Sequence, residues 1–245
     1  MVIYNDLPMF DLHNHILPTL DDGPNTMKES ILIAQSSWMQ GIEIIVATPH
    51  RKDVTELSSV QKVKSNIEQL NDILLKTKTN LKIVLGMENH IDELLPEEII
   101  SGKALPINEG KCILLEMPYV SELDIFVEDV LMDIKDMGLI PLIAHPERMN
   151  IFQTDPKLVE RFKVNGILMQ VTSGSIYGRF GNNAKLFTKY MLENNLVDVV
   201  ASDTHMGLGV RDQDLRYAYR YTSVMFDSQL AKTLFSINPK IIIGI

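Results

Sequence analysis

The stretch Asp11-Leu12-His13-Asn14-His15, followed six residues later by Asp21-Asp22-Gly23-Pro24, carries side chains that a divalent transition metal prefers. Met9-Phe10 leads into it as apolar, strand-like residues. Alternate residues of a strand share a face, so Asp11, His13 and His15 are expected on one side and Leu12 on the other. A histidine pair alone is a weak signal. It gains weight because the same chemistry returns at His50, Glu88, Glu116, His145, Asp203 and His205, each following a short apolar run. If those runs are parallel strands, the residues gather at one end of the sheet. Mixed imidazole and carboxylate shells suit Mn²⁺, Fe²⁺ or Zn²⁺ and leave positions for water and substrate.

The elements that would position these residues can be read in order. Apolar runs around residues 9–10, 42–47, 82–86, 113–115, 140–144, 167–172 and 197–201 read as seven buried strands. Only the sixth, ending in Gln170-Val171-Thr172, lacks a ligand type. Between them lie helical patterns. Thr26-x-x-Glu29 is a capping box for a helix over about 27–40, with Ile31, Ala34 and Trp38 on one face and Gly41 to stop it. Val60, Val63, Ile67, Leu70 and Leu74 mark a second helix. Leu123, Phe126, Val127, Val130, Ile134 and Met137 mark a third, closed by Gly138. Asp155 as cap and Pro156 at the first position open another, which ends at Gly166. Helices are also expected over about 183–193, 212–226 and 228–235, with 174–181 a glycine-bearing loop. Strand–helix alternation without a dinucleotide fingerprint favours a closed or nearly closed α/β barrel. No linker or repeat divides the 245 residues, so one domain is expected.

The formal charge of −9, with no cluster of lysines and arginines, argues against nucleic acid or an anionic membrane as partner. It does not exclude a phosphorylated substrate, because bound metals reverse the local sign. No apolar run reaches the length of a membrane span, and residues 1–6 lack the features of a signal peptide. Cys112 is the single cysteine and cannot form an internal disulfide, which fits a reducing cytoplasm; it reads as a core residue. With no arginine six residues after it, Cys112 does not make a Cys-x5-Arg phosphate loop.

His13-Asn14-His15-Ile16-Leu17-Pro18, Asp21-Asp22-Gly23-Pro24, Ala47-Thr48-Pro49-His50, His145-Pro146-Glu147-Arg148 and Ser202-Asp203-Thr204-His205 resemble the PHP (polymerase and histidinol phosphatase) superfamily. Within it they look like the bacterial protein-tyrosine phosphatases of capsule and exopolysaccharide operons. The motifs keep the family's order from Asp11 to about His205. The resemblance implies a distorted (β/α)7, TIM-like barrel of PHP type, a single domain over 1–245 with residues 1–8 as an N-terminal extension. It also implies three divalent ions, commonly manganese, with iron or zinc as alternatives. Carried over, His13, His15, Glu88 and Asp203 hold the first ion. Glu88 bridges to a second completed by Glu116 and His145, and Asp22, His50 and His205 hold the third.

The reaction this implies is phosphomonoester hydrolysis by a metal-bridging hydroxide, its pKa lowered to roughly 7, without a covalent intermediate. Arg148 would stabilise the equatorial oxygens. A second arginine in the family follows the Asp-x-His motif. Arg211 is the nearest candidate, after a spacer, Met206-Gly207-Leu208-Gly209-Val210, slightly longer than usual. Arg179, in Gly178-Arg179-Phe180-Gly181, either faces the substrate or is structural. Asp11 is expected to orient a histidine, and His90 to stand at the polar rim. By resemblance, the substrate is a phosphotyrosine protein, the C-terminal tail of a bacterial tyrosine kinase that regulates polysaccharide synthesis. The alternatives are a histidinol-phosphatase-type small-molecule enzyme and an inactive metal-binding scaffold.

Overall fold

The structure, a computed structural model, describes residues 7–118 and 124–245. Leu123 therefore lies outside the described residues, as does most of the N-terminal extension. β1 (Met9–Asn14) leads through the loop carrying Asp21 and Asp22 to α1 (Met27–Met39). Thr26 caps α1 by accepting from the Glu29 amide, while the Glu29 carboxylate accepts from the Asn25 amide at 2.7 Å. The buried face of α1 centres on Ile33, Ala34 and Ser37, with Ile31 and Trp38 on its flanks. β2 (Ile42–Ala47) follows, then α2 (Arg51–Leu57), a short helix that the apolar pattern did not announce. α2 is held by Arg51, which is 2% exposed and pairs with Asp92 at 2.6 Å and with Glu98. α3 (Val60–Lys76) buries the expected face of Val63, Ile67, Leu70 and Leu74.

β3 (Lys82–Leu85), β4 (Asn89–His90) and α4 (Leu95–Ile100) precede β5 (Cys112–Glu116). α5 (Ile125–Asp136), β6 (Ile140–Ala144), α6 (Asn150–Thr154), α7 (Pro156–Val164) and β7 (Leu168–Thr172) come next. Asp155 and Pro156 occupy the cap and first positions of α7, but the Asp155 carboxylate makes no capping bond. Where a glycine-bearing loop was expected, α8 (Ser173–Tyr177) forms, ended by Gly178 at φ 98°. α9 (Asn182–Glu193), β8 (Val199–Ala201) and α10 (Leu215–Met225) follow. The expected last helix is divided: α11 (Ser228–Lys232) passes through a π-turn at Thr233–Ile237 into α12 (Asn238–Ile243).

All strand pairs are parallel, in two sheets of order β1-β2-β3 and β4-β5-β6-β7-β8. The eight strands among the described residues make seven staves, because β3 and β4 are halves of one interrupted at Gly86-Met87-Glu88. The first half pairs with β2 and the second with β5. Gly86 permits the break: a Cβ there would lie 2.4 Å from Val46 Cγ1. The ring closes between β1 and β8, where His15 N donates to Thr204 O and Asp203 N to His13 O, both at 2.9 Å. The chain is therefore a distorted (β/α)7 barrel. Phe10, Leu12, Val46, Val84, Leu114, Leu142 and Val199 fill its interior, and Ile107 and Ile243 of α12 join that cluster. The opposite faces of the strands pack under the helices. Among the described residues, no helix is long and apolar enough to cross a membrane.

Candidate metal centre

The strand ends deliver ligand-type side chains to one face, helped by three backbone irregularities. The pairing of β1 with β2 shifts register between Asp11 and Asn14. Strict alternation is lost there, so Asp11 and His13 do not share a face. Asp11 instead accepts from Ser202 N (2.9 Å), Asn14 Nδ2 (2.9 Å) and Gln213 Nε2 (3.0 Å). It orients no histidine, contrary to the expectation from spacing. The other two irregularities are His145 and Asp203, non-glycine residues with left-handed backbones at φ 36° and 54°. Such conformations cost on the order of 1–3 kcal/mol each and persist where the surroundings impose them. Here they aim side chains into the barrel mouth.

The nine residues expected as ligands converge there. His13 Nε2 lies 3.1 Å from His15 Nε2, 3.3 Å from Glu88 Oε2 and 3.4 Å from Asp203 Oδ1. His50 reaches Glu88 through Nδ1 (2.9 Å) and Asp22 through Nε2 (3.4 Å), and His205 Nε2 meets Asp22 at 3.0 Å. His145 Nε2 is 3.0 Å from Glu88 Oε1 and 4.0 Å from Glu116 Oε1. Three groups have ligand atoms within 4.8 Å of one another: His15-Asp22-His50-His205, His13-His15-Glu88 and His50-Glu88-Glu116. His15, His50 and Glu88 each belong to two, so the groups form one continuous cluster. His90 stands at its edge, 3.6 Å from Glu116 and 28% exposed.

The electrostatics fit a cluster that requires positive charge. Burial would lift the Glu88 and Asp203 carboxyls. The imidazoles around them, with Arg148 beside Asp203, hold both well below the ordinary carboxylate range. Burial also works against a charged His15 and His50. Asp21 and Glu88 outweigh it at His15, raised to about 9, and Asp22 and Glu88 at His50, raised to about 11. His205 goes the other way, lowered to about 4 by burial and by the charge of His15. Protons thus collect where the carboxylates need cations, and divalent ions can replace them. The donor set of nitrogens and carboxylate oxygens fits divalent metal binding.

Two orienting residues went unnoticed in the sequence. Asp21 Oδ2 accepts from His15 Nδ1 at 2.7 Å and from the His50 amide at 3.2 Å, while its Oδ1 accepts from the Gly23 amide at 3.0 Å. Gly23 closes tightly over this loop, since a Cβ there would sit 2.4 Å from His15 O. Gln170 Oε1 meets His13 Nδ1 at 2.8 Å, which accounts for the one strand end without a ligand type. Both bonds fix which imidazole nitrogen faces the cluster. Two arginines converge on Asp203. Arg148 bonds Oδ2, and Arg211 bonds Oδ1 at 3.0 Å and also Asp22 at 3.1 Å. Arg179 points elsewhere, to Val210 O, Asp212 O and the Asp212 carboxylate. Cys112 is buried in the barrel interior, its thiol pushed up to about 12 by burial and by Asp198.

The sequence profile of the family described as "Capsular polysaccharide synthesis, CpsB/CapC" matches residues 9–244. Tyrosine-protein phosphatase YwqE of Bacillus subtilis is 36% identical over 197 residues, covering 80% of this chain and 77% of that protein. Tyrosine-protein phosphatase CpsB of Streptococcus pneumoniae is 31% identical over 246 residues, covering 96% of this chain and 98% of that protein. A solved structure from work on YwqE and CpsB, described as unique metal-dependent tyrosine phosphatases, superposes with a TM-score of 0.90 at 33% identity, covering 96% and 94% of the two chains. The zinc-containing histidinol phosphate phosphatase of Lactococcus lactis shares the fold, with a TM-score of 0.56 at 11% identity, covering 95% of this chain and 98% of that one. Barrel, converging side chains and these likenesses agree: the chain belongs to the CpsB/CapC family of capsular polysaccharide synthesis.

Proposed function

We propose that the chain hydrolyses phosphotyrosine in a protein substrate, using a centre of three divalent ions. Manganese is the first choice, with iron or zinc as alternatives. His13, His15, Glu88 and Asp203 would hold one ion, and Glu116 and His145 a second that shares Glu88. Asp22, His50 and His205 would hold the third. The observation that carries the reading is the convergence of these nine side chains in a chain whose relatives are named tyrosine-protein phosphatases. When bound, the ions supply an activated water and neutralise charge developing on phosphate.

The protein's own residues do the rest. Asp21 and Gln170 keep the Nδ1 protons of His15 and His13, so that each Nε2 lone pair faces the cluster. Arg148 and Arg211, bonded to Asp203 on either oxygen, stand ready to transfer hydrogen bonds to the phosphoryl oxygens. Three divalent ions would outweigh the four carboxylates of Asp22, Glu88, Glu116 and Asp203 and would draw a phosphate dianion to an otherwise acidic protein. Phosphotyrosine leaves as a phenolate whose conjugate acid has a pKa of about 10, so little proton donation is needed. The proposed substrate is the C-terminal tail of a tyrosine kinase of polysaccharide synthesis, and the proposed compartment is the cytoplasm.

The test is elemental analysis of the purified protein beside assays on a phosphotyrosine peptide and histidinol phosphate across several metals. Metal-dependent turnover of the peptide, abolished by chelator, supports the reading. Turnover of histidinol phosphate alone, or bound metal without any phosphatase activity, overturns it.

A further inference from the structure

The spacer between His205 and Arg211 has a form that the hydrolytic chemistry does not require. Its base is pinched shut: the amides of His205 (3.0 Å) and Met206 (3.3 Å) both donate to Arg211 O. What protrudes is Met206-Gly207-Leu208-Gly209-Val210, five residues without one polar side chain. Leu208 is 86% exposed and Val210 74%, so the loop shows aliphatic surface to water immediately beside a charged centre. It is also held in place. At Gly207 a Cβ would come within 3.1 Å of Leu32 Cβ on α1, so the loop rests on that helix. From the other side Arg179 donates to Val210 O (3.4 Å) and Asp212 O (3.2 Å) and pairs with the Asp212 carboxylate (2.8 Å). The neighbour of Arg179, Phe180, lies under Arg148, whose guanidinium carbon is 4.9 Å from the phenyl ring centroid.

Arg148 and Arg211 bind the two oxygens of Asp203; Phe180 lies against the first arginine, and the 206–210 loop runs directly into the second. A phosphate held by both arginines would direct its ester substituent out between an aromatic ring and an aliphatic loop. We propose that Leu208 and Val210, on the loop pinned by Arg179, form with Phe180 an aryl subsite that selects the ring of phosphotyrosine over small aliphatic phosphomonoesters. This rests on the phosphatase reading and names the part of the chain that gives it tyrosine specificity. An alkyl phosphate would leave the loop's aliphatic surface uncovered, whereas a phenyl ring covers it.

The test is the double variant Leu208→Ser/Val210→Ser, on an exposed loop whose backbone bonds are kept. kcat/KM would be measured on a phosphotyrosine peptide, p-nitrophenyl phosphate and glycerol 2-phosphate. Binding of phenylphosphonate and methylphosphonate to the metal-loaded protein would be measured by calorimetry. The expected result is a roughly tenfold fall for the two aryl substrates, carried by KM, with glycerol 2-phosphate within about twofold of wild type. The preference for phenylphosphonate should shrink by a similar factor. An equal fall for all three substrates, or no change in any, overturns the subsite. A wild-type protein that hydrolyses none of them overturns the phosphatase reading instead. In that case a phenyl preference that survives the double variant overturns the subsite as well.

Discussion

Asp21→Asn is the substitution whose outcome depends most on pH. Asp21 is buried, 2.7 Å from His15 Nδ1, and its charge is a main reason why His15 is raised to about 9. Losing such a partner behind a metal-ligating histidine typically weakens metal binding 10–100-fold. There is an opposing effect. A histidine raised to about 9 is protonated at pH 7, and a metal must displace that proton, a handicap of about 2 pH units or roughly a hundredfold. The sign is fixed: metal takes the neutral imidazole, so the His15 contribution to wild-type affinity rises with pH and levels off above about 9. In Asp21→Asn the histidine keeps only the raising influence of Glu88 and moves down from about 9, so the handicap at pH 7 shrinks. The two effects oppose each other at pH 7, whereas at pH 9.5 the loss dominates. Manganese titrations of both proteins, compared as a ratio, should show a smaller gap at pH 7 than at high pH, since Asp21 raises His15 and also His50. At pH 9.5 the variant should be about 10–100-fold weaker. A gap that is constant across this range would refute the role given to Asp21.

Arg148→Ala should keep its metals yet turn over phosphotyrosine roughly 10²-fold more slowly, as for loss of a charge-stabilising donor; a near-normal kcat would show the arginine misassigned. Cys112→Ser should retain activity per folded molecule, and the wild-type thiol, pushed up to about 12, should resist alkylation at pH 8 while the protein is folded. A folded but inactive serine variant would point to a thiol mechanism. Gly86→Ala forces a methyl to 2.4 Å from Val46 Cγ1 and should destabilise by roughly 1–3 kcal/mol, lowering Tm by several degrees; an unchanged Tm would mean that β2 yields.

The strand ends were legible because a buried parallel strand is a continuous apolar run, and a charged or imidazole side chain at its end has few bland uses. His50, Glu88, Glu116, His145 and Asp203 were found by that rule alone. It failed at Asp11, where a register shift between Asp11 and Asn14 breaks the period of two that sequence reasoning assumes. Asp21 and Gln170 escaped because a hydrogen bond to the far side of an imidazole leaves no mark in residue spacing. α8 was hidden by Gly174 and by Gly178 and Gly181 after it, which suit a loop, whereas here Gly174 packs beside Phe180. α2, α4 and α6 are short, with too few turns to show a helical period. The third strand reads as ending at Gly86, and the second half of its stave, β4, escaped because two residues are too few to show an apolar run.

The two places where the barrel wall changes partner have something in common. At one, the stitches are Asp203 N to His13 O and His15 N to Thr204 O; at the other, Arg51 N to Glu88 O and Glu88 N to Pro49 O. The main chains of His13, His15, Glu88 and Asp203 thus lace the seams whose mouth their side chains occupy. Cations gripped by those side chains would act as rivets through the joints of the vessel, so that emptying the mouth slackens the wall just beneath it, and the hoop and the chemistry come apart together.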